Sequence, residues 1–213
     1  IRGDAMKREE KNRQTRRRIL DSALDEFSKQ GYGASSINAV CATQDISKGI
    51  IYHYFKTKDD LFLSCVKECF DRLTEYLRDH IQLERGSIEE RLEGYFTARL
   101  AFFQEHPVYQ RIFCEAVITP PAHLKSEIQA QKSAFDALNI QILEQLLAPV
   151  SLRTHITKAD VIETFRQFQD FINAKYEMTG IDRQGFEAHE ASCKKALNIL
   201  LYGVIAREET AHV

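Results

Sequence analysis

Two serines, Ser36 and Ser47, each open a short helical pattern, and the stretch between the patterns carries turn chemistry. Serine is a strong N-cap because its hydroxyl accepts a bond from a backbone N–H that the first helical turn leaves without a partner. After Ser36, Ile37, Val40 and Cys41 recur at helical spacing. The break falls at Gln44-Asp45-Ile46, where Asp tolerates the left-handed backbone of a tight turn. After Ser47, Ile51 and Phe55 lie four apart, so both can face inward onto the preceding helix. Lys48, Gly49, Ile50, Tyr52 and His53 are left for the outer face. This is the pattern of a helix-turn-helix, whose second helix enters the major groove of DNA and meets base edges with its first residues. Gly49 weakens its own helix but lets the backbone approach another surface closely.

The segment 15–61 resembles the DNA-binding domain of the TetR family of bacterial transcriptional regulators. The matching residues are Arg18-Ile19-Leu20, Ala23, Phe27, Gly31, Ser36-Ile37, Ile46-Ser47-Lys48-Gly49, Ile51-Tyr52-His53-Tyr54-Phe55 and Lys58-Asp59-Asp60-Leu61. Together they are specific, and any one piece alone would be weak. The rest of the chain is similar to the family only in length, helical character and a hydrophobic last helix. Asp45 stands where the family usually has Gly, which puts a negative charge near the DNA phosphates.

Charge is distributed as such a protein needs it. The net charge is only −2, but 1–58 carries 12 Lys/Arg against 7 Asp/Glu, and the remainder 17 against 24. A basic head on an acidic body suits phosphate contact at one end. Residues 1–5 are set apart, since Met6 reads as a native start. The run 7–18 is highly charged and is expected to fray at its beginning, with Arg13, Arg16, Arg17 and Arg18 offered to phosphate or to a minor groove, or simply solvated. No apolar run approaches the ~20 residues of a membrane span, and no secretory core follows the basic start, so a cytoplasmic protein is expected. The five cysteines form no metal-ligand pattern and read as reduced thiols; neither a metal nor a cofactor is expected.

Helical periodicity continues throughout, with no alternating strand pattern and no internal repeat. The expected fold is all-α with about nine helices: a three-helix DNA-binding domain at 1–58, then a larger helical domain at 59–213. A first helix covers 15–30, and Gly31 stops it. Thr57 caps a long helix to about His80, the link through which the body repositions the head. Ser87-Ile88-Glu89-Glu90 is a capping box. Helices follow before Pro107, between Pro107 and Pro120, over 122–147, over 158–176 and over 184–207, with Thr179-Gly180 turning the chain between the last two.

The expected DNA contacts are Lys48, Gly49, Ile50, Tyr52 and His53, with Lys56 just beyond the helix and Ser35 and Ser36 at the start of the preceding one. Tyr54 reads as packing. A palindromic double-stranded operator requires a homodimer. Phe165, Phe168 and Ile172 on one late helix, and Cys193, Leu197, Leu200, Gly203 and Val204 on the other, suit an intermolecular four-helix bundle or, equally by pattern, the chain's own core. The resemblance implies a small-molecule effector, hydrophobic or aromatic. The residues offered for it are Phe96, Phe103, Tyr109, Phe113, Glu115, Phe135 and Phe168, most of which also suit ordinary core. The reading is a ligand-responsive regulator, a repressor released by its effector. The alternative is a helical small-molecule-binding protein whose DNA-binding head is impaired. No nucleophile–base set or phosphate loop indicates an enzyme.

Overall fold

The computed structural model describes residues 2–177 and 183–205. The fold is all-α, with ten helices among the described residues: α1 (Arg2–Ala34), α2 (Ile37–Thr43), α3 (Lys48–Tyr54), α4 (Lys58–His80), α5 (Ile88–Glu105), α6 (Val108–Val117), α7 (Lys125–Gln131), α8 (Ser133–Leu147), α9 (Lys158–Glu177) and α10 (Arg183–Val204). A 3₁₀ turn, Ala122–Leu124, leads into α7. Among the described residues the single extended pairing is an isolated bridge between Leu152 and Ile205.

Each boundary has a local cause. Ser36 and Ser47 cap α2 and α3, their hydroxyls accepting from the Ala39 and Ile50 amides. Thr57 and Asp60 exchange bonds as a capping box before α4, and Ser87 and Glu90 do the same before α5. Helix α1 begins well before the expected start at 15. Glu10 pairs with Arg13 and accepts from Gln14, so the charged run supports its own helix by contacts one turn apart. The helical path is interrupted at Gly31, whose φ of 75° favours glycine, and resumes for one turn. The single helix expected over 122–147 is broken at Lys132 into α7 and α8. The Thr179-Gly180 turn and the end of the last helix at Arg207 lie outside the described residues.

The chain forms two compact units. The first comprises 1–72 and 103–133, the second 73–102 and 134–213. In the first, Ile19, Ala23 and Phe27 of α1 are fully buried with Val40, Ile51, Leu61 and Phe62. Phe62 meets Phe27 edge-on at 5.2 Å. In the second, Leu73, Leu77, Leu92, Leu146 and Leu147 are buried, with Phe165, Cys193 and Leu197. Helices α4, α5 and α8 each contribute residues to both units or begin at their boundary.

Candidate nucleic-acid interface

Helix α3 is held by its inner face. Ile51 is fully buried and Phe55 nearly so. The turn before it closes by an Ile46 N–H bond to the Cys41 carbonyl. Asp45 sits there at φ 50°, the left-handed conformation that the sequence called for, with its side chain exposed. Helix α1 grips this corner from behind: the Ser22 hydroxyl donates to the Val40 carbonyl at 2.7 Å, and Arg18 donates to the Gln44 carbonyl. The Arg16 guanidinium lies 5.0 Å from the centre of the Phe55 ring. Tyr54 donates to the Asn12 amide oxygen, tying α3 to the early part of α1. That part is therefore a support for the recognition helix, a role its charge run did not announce.

The opposite face of α3 is open. Ile50 and Tyr52 keep 44% and 42% of their surface accessible, unusual for large apolar or aromatic side chains with an adjacent core to join. Lys48, Gly49, His53 and Lys56 are exposed as well. A Cβ added at Gly49 would meet nothing within 4 Å, so the backbone there is bare. The Lys48 ammonium lies 6.0 Å from the Tyr52 ring centre, grouping charge and aromatic surface. Six expected contacts thus share one accessible neighbourhood. Ser36 is exposed as well, its oxygen engaged as the α2 cap. Ser35 is different: it is buried, and its hydroxyl donates to the Gly31 carbonyl.

A polar latch missed in the sequence fixes the corner between α1 and α2. Lys58 donates to the Tyr32 and Ser35 carbonyls at 2.8 and 3.1 Å and lies over the Tyr32 ring. The Tyr32 hydroxyl bonds Asp59, and both approach His123. Glu115 accepts the Tyr32 N–H at 2.8 Å and pairs with Arg111, which donates to the Gln30 carbonyl. Burial pushes the Glu115 carboxyl up, though these donors oppose it. Glu115 thus serves the backbone beside Gly31, where a Cβ would fall 2.2 Å from its carboxylate. A second knot joins α1, α4 and α6: Glu68 accepts from Arg17 and from the Tyr109 hydroxyl. Burial raises the Glu68 carboxyl, but those bonds outweigh it and the net direction is down. Neither knot has a periodic signature, because its members come from distant turns.

The residues offered for an effector are divided between the two units. Phe103, Tyr109, Phe113 and Glu115 belong to the first unit, whereas Phe96, Phe135 and Phe168 belong to the second. Phe96, Phe103, Phe113 and Phe135 are buried, as is Tyr109 in its knot with Glu68. Phe168 is exposed. Three cavities in the second unit are lined by other side chains. Around one of them Tyr95 donates to Asn139 at 2.6 Å and accepts from Arg99, whose guanidinium pairs with the equally buried Glu190 at 3.0 Å.

The two readings of the late apolar stripes also separate. Phe165, Ile172, Cys193, Leu197 and Val204 are buried inside the second unit, and Leu200 is half-buried. Phe168 and Gly203 are exposed. The outward apolar residues are Phe168 and Phe171 on α9, with Ile199 and Tyr202 on α10. Of these, Phe168 belongs to the expected stripe, whereas Phe171, Ile199 and Tyr202 do not, since only one helix face can join the core.

A short capped helix bearing an open polar and apolar face, packed behind a tight turn, defines the helix-turn-helix class of DNA-binding domains. Residues 19–65 match the family described as bacterial regulatory proteins, tetR family. That segment, and not the whole chain, is similar to the family. Among curated relatives, it is 28% identical over 129 residues to the HTH-type transcriptional repressor KstR of Mycolicibacterium smegmatis, covering 61% of this chain and 63% of that one. It is 30% identical over 74 residues to the fatty acid metabolism regulator protein of Bacillus subtilis, covering 35% and 38%. The match therefore spans less than two thirds of either relative. Among solved structures, Bacillus subtilis FadR in complex with stearoyl-CoA superposes with a TM-score of 0.63 at 18% identity, over 87% of this chain and 97% of that one. A tetR-family regulatory protein from Rhodococcus RHA1 superposes with a TM-score of 0.60 at 15% identity, over 91% and 98%. At these identities the likeness is one of fold. No helix among the described residues is long and apolar enough to cross a membrane.

Proposed function

We propose that this chain is a homodimeric, ligand-responsive transcriptional repressor that grips a palindromic operator and is released by a small-molecule effector. The observation that carries the reading is the outer face of α3, where Ile50 and Tyr52 are exposed beside Lys48, Gly49 and His53 while Ile51 anchors the helix. Lys48 and Lys56 supply charge to phosphates, Tyr52 and His53 supply hydrogen bonds, and Ile50 suits a thymine methyl. Ser36 adds a hydroxyl at the edge of this face. Ser35 drops out of the contact set, since its hydroxyl is spent inside the protein. The relatives, a transcriptional repressor and a fatty acid metabolism regulator, and the stearoyl-CoA held by one structural neighbour support repression relieved by a metabolite. The outward apolar residues of α9 and α10 supply the dimer contact, and the DNA partner implies a cytoplasmic protein.

Linkage governs the switch: the effector weakens DNA binding only as far as it prefers the released state over the bound one. The test is selection of duplexes from random DNA at moderate salt by the purified protein. An inverted repeat should be enriched. A folded protein that enriches no sequence, with or without Asp45→Gly, would leave a helical ligand-binding protein with an impaired head.

A further inference from the structure

We infer that the second unit carries a binding site for an amphipathic anion, with the anionic group held by Arg78 and Arg85 and an aliphatic tail laid toward Ile142. The inference rests on the effector-binding role proposed above and gives that role a place and a ligand chemistry. The site is a cleft of about 1000 Å³ bordered by the end of α4, the connection to α5, the start of α5 and the outer turns of α8. That volume is ample for a small metabolite.

Its lining is strongly biased in charge: Arg78, Arg85 and Arg91 contribute to it, against a single acidic residue, Glu84. The lining also includes apolar side chains, among them Ile81, Leu138 and Ile142. Among the described residues, no ion pair holds Arg78 or Arg85, and both are exposed. By contrast Arg13, Arg17, Arg72, Arg99 and Arg111 are each paired with a carboxylate. Two guanidiniums left facing an open cleft offer planar, permanently charged forks that match a carboxylate or a phosphate.

The cleft is also shaped in advance. Arg91 is tethered through its Nε to the Gly86 carbonyl at 3.0 Å. Gly86 turns the chain at φ 89°, where a Cβ would fall 2.8 Å from the Glu90 carboxylate. That carboxylate in turn accepts the Ser87 N–H. The connection bearing Arg85 is therefore anchored at its α5 end. Ile142 is nearly fully buried and also lines a small cavity of about 20 Å³ together with Tyr95 and Asn139. Ile142 thus belongs to both cavities, and a hydrocarbon tail that reaches it meets apolar surface.

The probes are decyl phosphate and decanoate, which share a tail and differ in the anion, and decanol, which lacks the charge. Each is titrated calorimetrically into the full-length protein below its micelle-forming concentration. At least one anion should bind saturably at one site per chain and more tightly than decanol. The Arg78→Gln/Arg85→Gln variant changes only exposed positions, so it should stay folded. It should weaken the anion about tenfold or more and leave decanol unchanged. Which anion binds better tells a phosphate head from a carboxylate head. Absence of saturable binding by a folded protein, equal affinity for decanol, or indifference to the double variant would overturn the site. Operator binding is measured separately by gel shift. An anion that binds through the arginines without altering DNA affinity sustains the cleft and defeats the effector reading. DNA release without arginine-dependent binding defeats the cleft alone.

Discussion

At Gly49 the interests of the free protein and of the complex are opposed. Glycine in a helix costs about 1 kcal/mol relative to alanine, and the space around its Cα is empty. Gly49→Ala should therefore raise unfolding stability by up to ~1 kcal/mol, read by urea titration. It should also weaken operator binding, read by gel shift, because a methyl would stand between backbone and groove. A gain in stability with DNA affinity intact would remove the close-approach role. Asp45 poses the converse case. It holds a left-handed conformation at φ 50° that glycine would adopt without steric cost, and it brings a negative charge to the exposed turn before α3. Asp45→Gly should stabilise by about 1 kcal/mol and tighten DNA binding most at low salt. Equal tightening at all salt concentrations would assign the gain to the turn and not to the charge. These positions were legible in the sequence because caps, left-handed turns and glycines act locally. Ser35 was misjudged for the complementary reason: its neighbour Ser36 has the same chemistry, and only the path of the chain past Gly31 turns one hydroxyl inward.

Among the helices, periodicity identified which segments wind but not which face each one commits. The apolar sides of α9 and α10 could be seen, yet the core took Phe165, Ile172, Cys193 and Leu197 and left Phe168, Phe171, Ile199 and Tyr202 outside. The knots that fasten α1 to α4 and α6 left no trace in spacing at all, since Arg17, Glu68 and Tyr109 are brought together only by packing. Their contribution is open to a titration. The net direction at Glu68 is down from the model-compound value of 4.5, so the folded protein holds its carboxylate more readily than the unfolded chain does. The stability this group supplies is present above the unfolded-state pKa and is lost as pH falls through the lower folded value. Glu68→Gln should consequently destabilise the protein near neutrality by about 2 kcal/mol and flatten the fall in stability on acidification below about pH 4.5. Thermal unfolding of both proteins across that range is the measurement. An unchanged acid limb would mean that the carboxylate contributes nothing beyond what glutamine supplies to Tyr109.

For the molecule as a whole, a repressor reading a palindrome must present two heads, and so needs a surface able to join two chains. The late helices offer one in matched pairs: Phe168 and Phe171 are three apart on α9, Ile199 and Tyr202 three apart on α10, and each pair lies on one side of its helix. Phe171 and Ile199 keep 70% and 63% of their surface accessible, more than isolated surface residues of this kind need. Gly203 beside them has open space over its Cα, so a second helix can come close there. Because these side chains contribute little to the chain's own core, charging them should leave each protomer folded. The Phe171→Glu/Ile199→Glu variant is expected to keep its helical circular dichroism and thermal midpoint while sedimenting as a monomer where the parent sediments as a dimer. Its affinity for a full inverted repeat should fall by at least tenfold, toward that for a half-site, since the second head no longer arrives with the first. A variant that stays dimeric would move the interface off this face, and a monomeric variant with undiminished operator affinity would show that one head suffices.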